Sequence, residues 1–334
     1  MAQHKGGPGA NLVYSTDADA GLTRVRQGRS FVYRRPGGRL VRDRATLKRI
    51  ESLAIPPAWE NVWICLQPRG HLQATGRDAR GRKQFRYHDR WTRVRDADKY
   101  SRLIVFCRVL PKIRRRVARD LRQPGLARER VIAAVVRLLE RTLIRVGNAE
   151  YARENKSYGL TTLRDRHAKI RGSTIRLSFR AKSGIDVETE VTDKRLAGVV
   201  KKCQDLPGQV LFAYIDDAGE RRTISSHDVN DYLRETTGAD ISAKDFRTWA
   251  GTVLAVAALK ELEGFQTDAE AKKNVIHAVE KVARKLGNTR AVARRSYVYP
   301  AVIDSYLDGS LDKALARQAI DEAVMALLQH RLRR

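Results

Sequence analysis

The period of the hydrophobic pattern changes along this chain, and that change limits its possible folds more than any other feature. In the first 92 residues the apolar side chains come in short alternating runs, Phe31 to Tyr33 and Val62 to Leu66. One helical stretch, Thr46 to Leu53, lies between them and stops before Ile55-Pro56-Pro57. Beyond Asp96-Ala97-Asp98-Lys99, which reads as the end of a linker, the spacing becomes helical. A small α+β domain over residues 1–92 and a second domain over 93–334 are expected. The full length of 334 residues suits two domains, and a hydrophobic content of 42% can fill their cores. The first ten residues, with three Gly and a Pro, read as a flexible lead.

Charge restricts the partners. Against 38 Asp and Glu stand 66 Lys and Arg, a formal net charge of +28. Residues 1–92 hold 18 basic and 7 acidic side chains, a net +11, and the remainder carries +17. Each domain is therefore basic in its own right, and a phosphate backbone is the commonest polyanion that neutralises such a surface. A solvated basic face of a ribosomal or nucleoid type is the plainer alternative. Cys65, Cys107 and Cys203 stand far apart, so neither a disulfide framework nor a zinc site is expected. No apolar run approaches the roughly 18 residues of a membrane span, and MAQHKGGPGA lacks a secretory core, so a soluble cytoplasmic protein is expected.

Several polar residues sit at structurally informative places. Between Arg69 and Arg95, nine Arg and Lys are interleaved with His71, Phe85, Tyr87 and Trp91, a composition suited to phosphates and to sugars or bases. Val131, Val135 and Leu138 form a helical stripe that runs on to Arg145, with Gly147 expected to end the helix. Taken alone, Arg145 could simply satisfy the last carbonyls of that helix. Alternation from Ile175 to Phe179 and again from Ile185 to Val191 predicts a hairpin with Lys182 at its Ala-Lys-Ser-Gly tip, where a lysine is ordinarily just solvated. Ser242 and Asp245 read as a capping box that opens a helix on which Arg247 is in register with Ala250, Gly251 and Leu254. A further helix, Ala271 to Leu286, stops at Gly287. Asn288-Thr289 can then cap a short helix bearing Tyr297, by itself an ordinary core aromatic, and Leu311 to Arg334 reads as one last amphipathic helix.

Together these residues and their surroundings resemble the poxvirus-like and bacterial branch of the type IB DNA topoisomerases. The strings that carry the resemblance are GRDARGRKQFRYHDRW (76–91), LIRVGNAEYARENKSYGLTTLRDRH (143–167), FRAKSG (179–184), KDFRTW (244–249) and KLGNTRAVARRSYV (285–298). The resemblance implies an α+β fold: a small N-terminal DNA-clamping domain, then a larger, mainly α-helical catalytic domain of tyrosine-recombinase type with a minor β-sheet, the two closing around duplex DNA as a C-shaped clamp. It makes Tyr297 the nucleophile, Arg145 and Arg247 the transition-state arginines, Lys182 a general acid and Asn288 the fourth helper, where many relatives have histidine. It also implies DNA contacts from Arg80, Arg82, Lys83, Gln84, Phe85, Tyr87 and Tyr151. The expected partner is duplex DNA, bound by a monomer in the cytoplasm or nucleoid, with no membrane partner.

The chemistry fits those residue types. A tyrosine phenolate can exchange one phosphodiester for a 3′-phosphotyrosyl bond that the released 5′ hydroxyl later attacks, so resealing needs no ATP. Planar guanidinium forks match the charge that builds on the nonbridging oxygens. No GxxxxGK[ST] phosphate loop occurs, and Asp216-Asp217 before Ala218-Gly219 reads as a turn, so no nucleotide cofactor and no metal are expected. Two rivals remain. Tyrosine recombinases share this chemistry but usually place histidine three residues before the second arginine, where this chain has Lys244. A non-enzymatic DNA-binding protein accounts for the charge but not for the polar set at helix ends and a hairpin tip.

Overall fold

In the computed structural model, the described residues are 12–28, 30–79, 81–262, 264–315 and 319–332. The flexible lead expected over residues 1–10 and the DNA contact expected at Arg80 lie outside them. The chain falls into two compact units, Met1–Lys99 and Tyr100–Arg334.

The first unit is a five-stranded antiparallel sheet with one helix. Its strands are β1 (Gly21–Gln27), β2 (Ser30–Arg34), β3 (Glu60–Cys65), β4 (Leu72–Arg77) and β5 (Lys83–Tyr87), in the order β2-β1-β3-β4-β5. Helix α1 (Arg44–Ser52) starts where the Asp43 carboxylate accepts from the Thr46 N–H, and it ends before the Ile55-Pro56-Pro57 stop. Leu22, Val41, Ile50, Val62, Ile64 and Ala74 form the core between sheet and helix. Three of these strands were not anticipated. β4 and β5 lie in the basic, aromatic-rich stretch from Arg69: β4 is buried from Leu72 to Gly76 but carries the polar Gln73 and Thr75 and so shows no apolar run, and the alternation of β5 sets exposed Lys83, Phe85 and Tyr87 against half-buried Gln84 and Arg86.

The second unit is helical, with two small sheets. Helix α2 (Asp89–Asp120) contains Asp96 to Lys99, so the string read as the end of a linker is helix instead. Then come α3 (Arg128–Thr142), α4 (Ala149–Asn155), the antiparallel sheet β6 (Ala168–Arg171), β7 (Thr174–Arg180) and β8 (Asp186–Thr192), α5 (Lys194–Gln204), and the hairpin β9 (Ala213–Ile215) and β10 (Arg221–Thr223). The Asp216-Asp217-Ala218-Gly219 turn joins β9 to β10, with the Asp216 carboxylate accepting from the Ala218 and Glu220 N–H groups. Helices α6 (Ser226–Thr237), α7 (Ala243–Lys260), α8 (Asp268–Leu286), α9 (Arg290–Ser296), α10 (Pro300–Leu307), α11 (Ser310–Leu315) and α12 (Ile320–Leu332) complete it. The single C-terminal helix expected from Leu311 is thus two, α11 and α12. Residues 131–136 of α3 are all buried, as are Leu138 and Leu139, and α3 packs on α5, α6 and α7 at the centre of the core. Asp120, fully buried at the end of α2, accepts from Arg116 and Arg119 on its own helix and from the Tyr232 hydroxyl of α6 at 2.9 Å. Losing one partner of such a buried charge typically costs about 3–5 kcal/mol, so this joint holds α2 to α6. Among the described residues no helix is long and apolar enough to cross a membrane.

Candidate active site

Helix α3 ends earlier than its apolar stripe suggests. Thr142 is its last residue, and Leu143 turns left-handed at φ 58° while its N–H still donates to the Leu139 carbonyl. Arg145 therefore stands in the extended segment after the helix and not on its apolar face, a correction to the sequence expectation. Tertiary hydrogen bonds replace the helical ones: the Leu160 N–H donates to the Arg145 carbonyl at 2.9 Å and the Thr161 N–H to Val146 at 2.7 Å. Only glycine fits at position 159, because a Cβ there would lie 2.5 Å from the Gly147 Cα and 2.6 Å from the Arg145 oxygen. Gly147 itself does not end a helix; its φ of 104° turns the extended segment beside Gly159.

Arg247 comes from the first turns of α7, whose start is the expected Ser242 and Asp245 capping box. Arg102 ties that box to α2 by an ion pair to Asp245 at 3.1 Å. Arg247 is 4% exposed. Its guanidinium donates to two carbonyls at helix ends, that of Leu143 after α3 and that of Leu286 in α8, the latter at 2.7 Å. Such carbonyls have no partner within their own helices, so one buried cation clamps two helix C-termini. The Arg247 Nε is buried and has no partner.

Gly287 ends α8 in the left-handed conformation at φ 57°, and the Asn288 N–H returns to the Ala283 carbonyl. This turn delivers the Asn288 side chain to Arg145, whose Nη2 donates to Asn288 Oδ1 at 2.6 Å. With Oδ1 engaged, Asn288 Nδ2 faces away as a buried donor without a partner. Thr289 caps α9, and Tyr297 follows directly after that helix, with the Arg247 Cζ 5.2 Å from its ring centroid. Burial by itself would push the Tyr297 phenol up, but the cations of Arg247, Arg145 and Lys244 outweigh it and hold the phenol below its ordinary value. Burial and the neighbouring Arg247 charge hold Arg145 below the usual arginine range.

Four of the five expected catalytic positions, Arg145, Arg247, Asn288 and Tyr297, are thus brought together. Lys182 is at the tip of the β7–β8 hairpin as expected, in the turn Lys182–Gly184, where Ser183 and Gly184 both have positive φ. It is exposed, and its Nζ lies 5.6 Å from the ring centroid of Tyr151 on α4, not within the cluster. The hairpin nevertheless shares a wall with the two arginines: Phe179, Ala181, Ile185, Arg145 and Arg247 line one cavity of about 280 Å³. Lys244, one turn before Arg247, distinguishes the chain from recombinases in sequence and also carries a charge that lowers the Tyr297 phenol. Its three-residue spacing from Arg247 was the signal that it adds to the field on Tyr297.

The other expected DNA contacts belong to the first unit. Lys83, Phe85 and Tyr87 alternate along β5, with Phe85 45% and Tyr87 44% exposed and their rings stacked at 6.1 Å. Exposed aromatics in a row are unusual on a solvated face and suit sugar or base contact. Arg82 pairs with Asp78 at 2.7 Å, Gln84 donates to the same carboxylate at 2.9 Å, and Lys83 pairs with Asp17 at 2.5 Å.

Residues 84–318 match the family model described as the catalytic core of eukaryotic DNA topoisomerase I, and residues 30–78 match the N-terminal domain of bacterial DNA topoisomerase IB. Similar proteins include DNA topoisomerase 1B of Acanthamoeba polyphaga mimivirus, 33% identical over 293 residues, covering 86% of this chain and 87% of the viral protein. DNA topoisomerase 1B of Vaccinia virus (strain Copenhagen) is 21% identical over 282 residues, covering 81% of this chain and 83% of its own. A small sheet domain followed along the chain by a larger helical one agrees with these matches. The chain belongs to the type IB DNA topoisomerases, in their poxvirus-like and bacterial branch. It is accordingly an isomerase whose substrate is DNA.

Proposed function

We propose that this topoisomerase relaxes positive and negative supercoils without ATP, by cutting one strand through a 3′-phosphotyrosyl bond at Tyr297, letting the broken strand swivel, and resealing it. The observation that carries this reading is a pair of buried donors without partners, Arg247 Nε on the guanidinium that lies against the Tyr297 ring and Asn288 Nδ2 on the amide that Arg145 holds. Leaving such donors unpaired costs about 1–3 kcal/mol each, a cost that an incoming phosphoryl group would offset.

In cleavage the Tyr297 phenol gives up its proton to solvent water and its oxygen attacks phosphorus, and the bond from phosphorus to the 5′ oxygen breaks. Arg145, Arg247 and Asn288 donate to the nonbridging oxygens as their charge grows, while Lys182 gives a proton to the departing oxygen. For that step Lys182 must leave the Tyr151 ring. Religation reverses each transfer, and the number of phosphoester bonds is conserved, so no nucleotide is consumed. In the N-terminal domain, residues 1–92, Arg82, Lys83, Gln84, Phe85 and Tyr87 contact the duplex; residues 93–334 do the chemistry, with Tyr151 beside the DNA. One chain carries the whole set and acts as a monomer, in the cytoplasm on nucleoid DNA.

The test is relaxation of negatively and positively supercoiled plasmid in EDTA without ATP. Both are expected to relax at comparable rates; an ATP requirement, or joining of two duplexes at defined sites, would overturn the reading in favour of another enzyme. A second prediction isolates Lys182. Lys182→Ala should cleave ordinary DNA about 10²–10⁴-fold more slowly, the usual worth of general acid catalysis. With sulfur in place of the 5′ bridging oxygen, the leaving thiolate needs no proton, and the variant should recover towards the wild-type rate. Absence of sulfur rescue would leave Lys182 as a phosphate contact only.

A further inference from the structure

Tyr297 is held from two sides. On one side, α9 takes its N–H, which donates to the Ala293 carbonyl at 2.9 Å. Its own carbonyl follows the end of α9 and has no acceptor role left within that helix. On this side it meets α7, where the fully buried Thr252 hydroxyl has one hydrogen to donate, shared between the Tyr297 main-chain carbonyl at 3.2 Å and the Thr248 carbonyl at 3.0 Å. Gly251, next to it, lets the two backbones approach: a Cβ there would fall 2.7 Å from the Tyr297 carbonyl oxygen and 2.8 Å from the Tyr297 Cβ, neither of which can swing aside. Arg247 and Gly251 are four residues apart and so share a face of α7. One helix therefore meets the Tyr297 ring with Arg247 and the Tyr297 backbone with Gly251, on the same face, and with the adjacent Thr252.

We propose that Gly251 and Thr252 are positioning residues that seat Tyr297 at its working distance from Arg247, so that the nucleophile and its arginine are referenced to one rigid helix. Thr252 acts through its hydroxyl and Gly251 through its missing side chain; neither touches DNA. The inference rests on the proposed role of Tyr297 as nucleophile. A displacement of about 1 Å at a reacting group can cost on the order of 10²-fold in rate, which sets the expected effect of crowding position 251.

The experiment follows covalent adduct formation on supercoiled plasmid at excess enzyme, quenched with detergent, for wild type, Gly251→Ala, Thr252→Val and Thr252→Ser, across a range of pH. Gly251→Ala should slow cleavage about 100-fold. Thr252→Val, which keeps the shape and loses the hydroxyl, should slow it about tenfold, the equivalent of one hydrogen bond, and Thr252→Ser should restore it to within about twofold. Plasmid affinity should be unchanged in all three. The pH profile separates seating from simple destabilisation. Arg247, Arg145 and Lys244 are the charged groups that lower the phenol, so a Tyr297 moved away from Arg247 titrates higher and the rise of cleavage with pH shifts upward. A variant that only unfolds more readily loses amplitude at every pH without that shift.

Wild-type rates in Thr252→Val, or equal loss in Thr252→Ser and Thr252→Val with unshifted profiles, would overturn the proposal even if Gly251→Ala failed to fold. Mapping the wild-type adduct keeps the two ideas apart. An adduct on a residue other than Tyr297 removes the nucleophile assignment and this inference with it. An adduct on Tyr297 together with indifferent variants removes the positioning role alone.

Discussion

Tyr297→Phe is expected to bind plasmid like the wild type and to form no covalent adduct at all. The substitution removes one oxygen, the only atom of the side chain able to bond to phosphorus, and keeps the ring that lies against Arg247. Fold and DNA affinity should therefore survive, and relaxation should fall below detection. The check is a denaturing gel of labelled DNA after long incubation, beside a filter-binding measurement. The expectation rests on the cations of Arg247, Arg145 and Lys244, which hold this phenol below its ordinary value although burial pushes it up. An adduct formed by Tyr297→Phe would transfer the nucleophile role elsewhere and dissolve the assignment of Arg145, Arg247, Asn288 and Lys182 with it.

Arg247 should show the next largest effect, and the choice of replacement is informative. Arg247→Lys keeps a charge but not the planar fork, and it cannot serve the Leu143 carbonyl, the Leu286 carbonyl and a phosphoryl oxygen together. Cleavage is expected to slow by about 10²–10³-fold, the scale seen when one transition-state donor is removed. Arg247→Ala should be slower still and also less stable, because two buried carbonyls lose their donor at about 1–3 kcal/mol apiece. Asn288→Ala should lose less than either, since a neutral amide stabilises growing charge less than a charge-assisted fork does. Single-turnover cleavage rates combined with thermal melting distinguish these outcomes. If Asn288→Ala were as slow as Arg247→Ala, the ranking would be wrong and the amide of Asn288 would carry a share that its chemistry does not explain.

The local features were legible in the sequence because their causes are local. The capping box at Ser242 and Asp245, the stop of α8 at Gly287, the Thr289 cap and the β7–β8 hairpin with Lys182 at its tip each depend on residues a few positions apart. The motif strings identified the family for the same reason, being short and contiguous. Where distant partners compete with local pattern, the sequence was a poor guide. The apolar stripe of α3 pointed on through Arg145, yet the helix ends at Thr142 because the segment after it bonds to Leu160 and Thr161. Strands β4 and β5 are hidden in the sequence because β4 buries the polar Gln73 and Thr75 among its apolar residues and β5 exposes its aromatics, so neither shows the apolar-in, polar-out alternation of a half-buried strand.

What the sequence alone determined, then, is the helix boundaries set by local caps, at Ser242, Gly287 and Thr289, the hairpin tip at Lys182, and that the chain is basic enough to hold a polyanion. Tertiary structure decided how those ends meet. Arg247 joins Leu143 to Leu286, Arg145 turns the Asn288 amide so that its Nδ2 is left unpaired, and α7 receives the Tyr297 backbone at Gly251 and Thr252. Lys182, by contrast, rests against Tyr151. The physical reason is that caps and periodicity report on neighbours along the chain, whereas the direction of a buried donor is set by whichever distant carbonyl the packing of helices leaves without a partner.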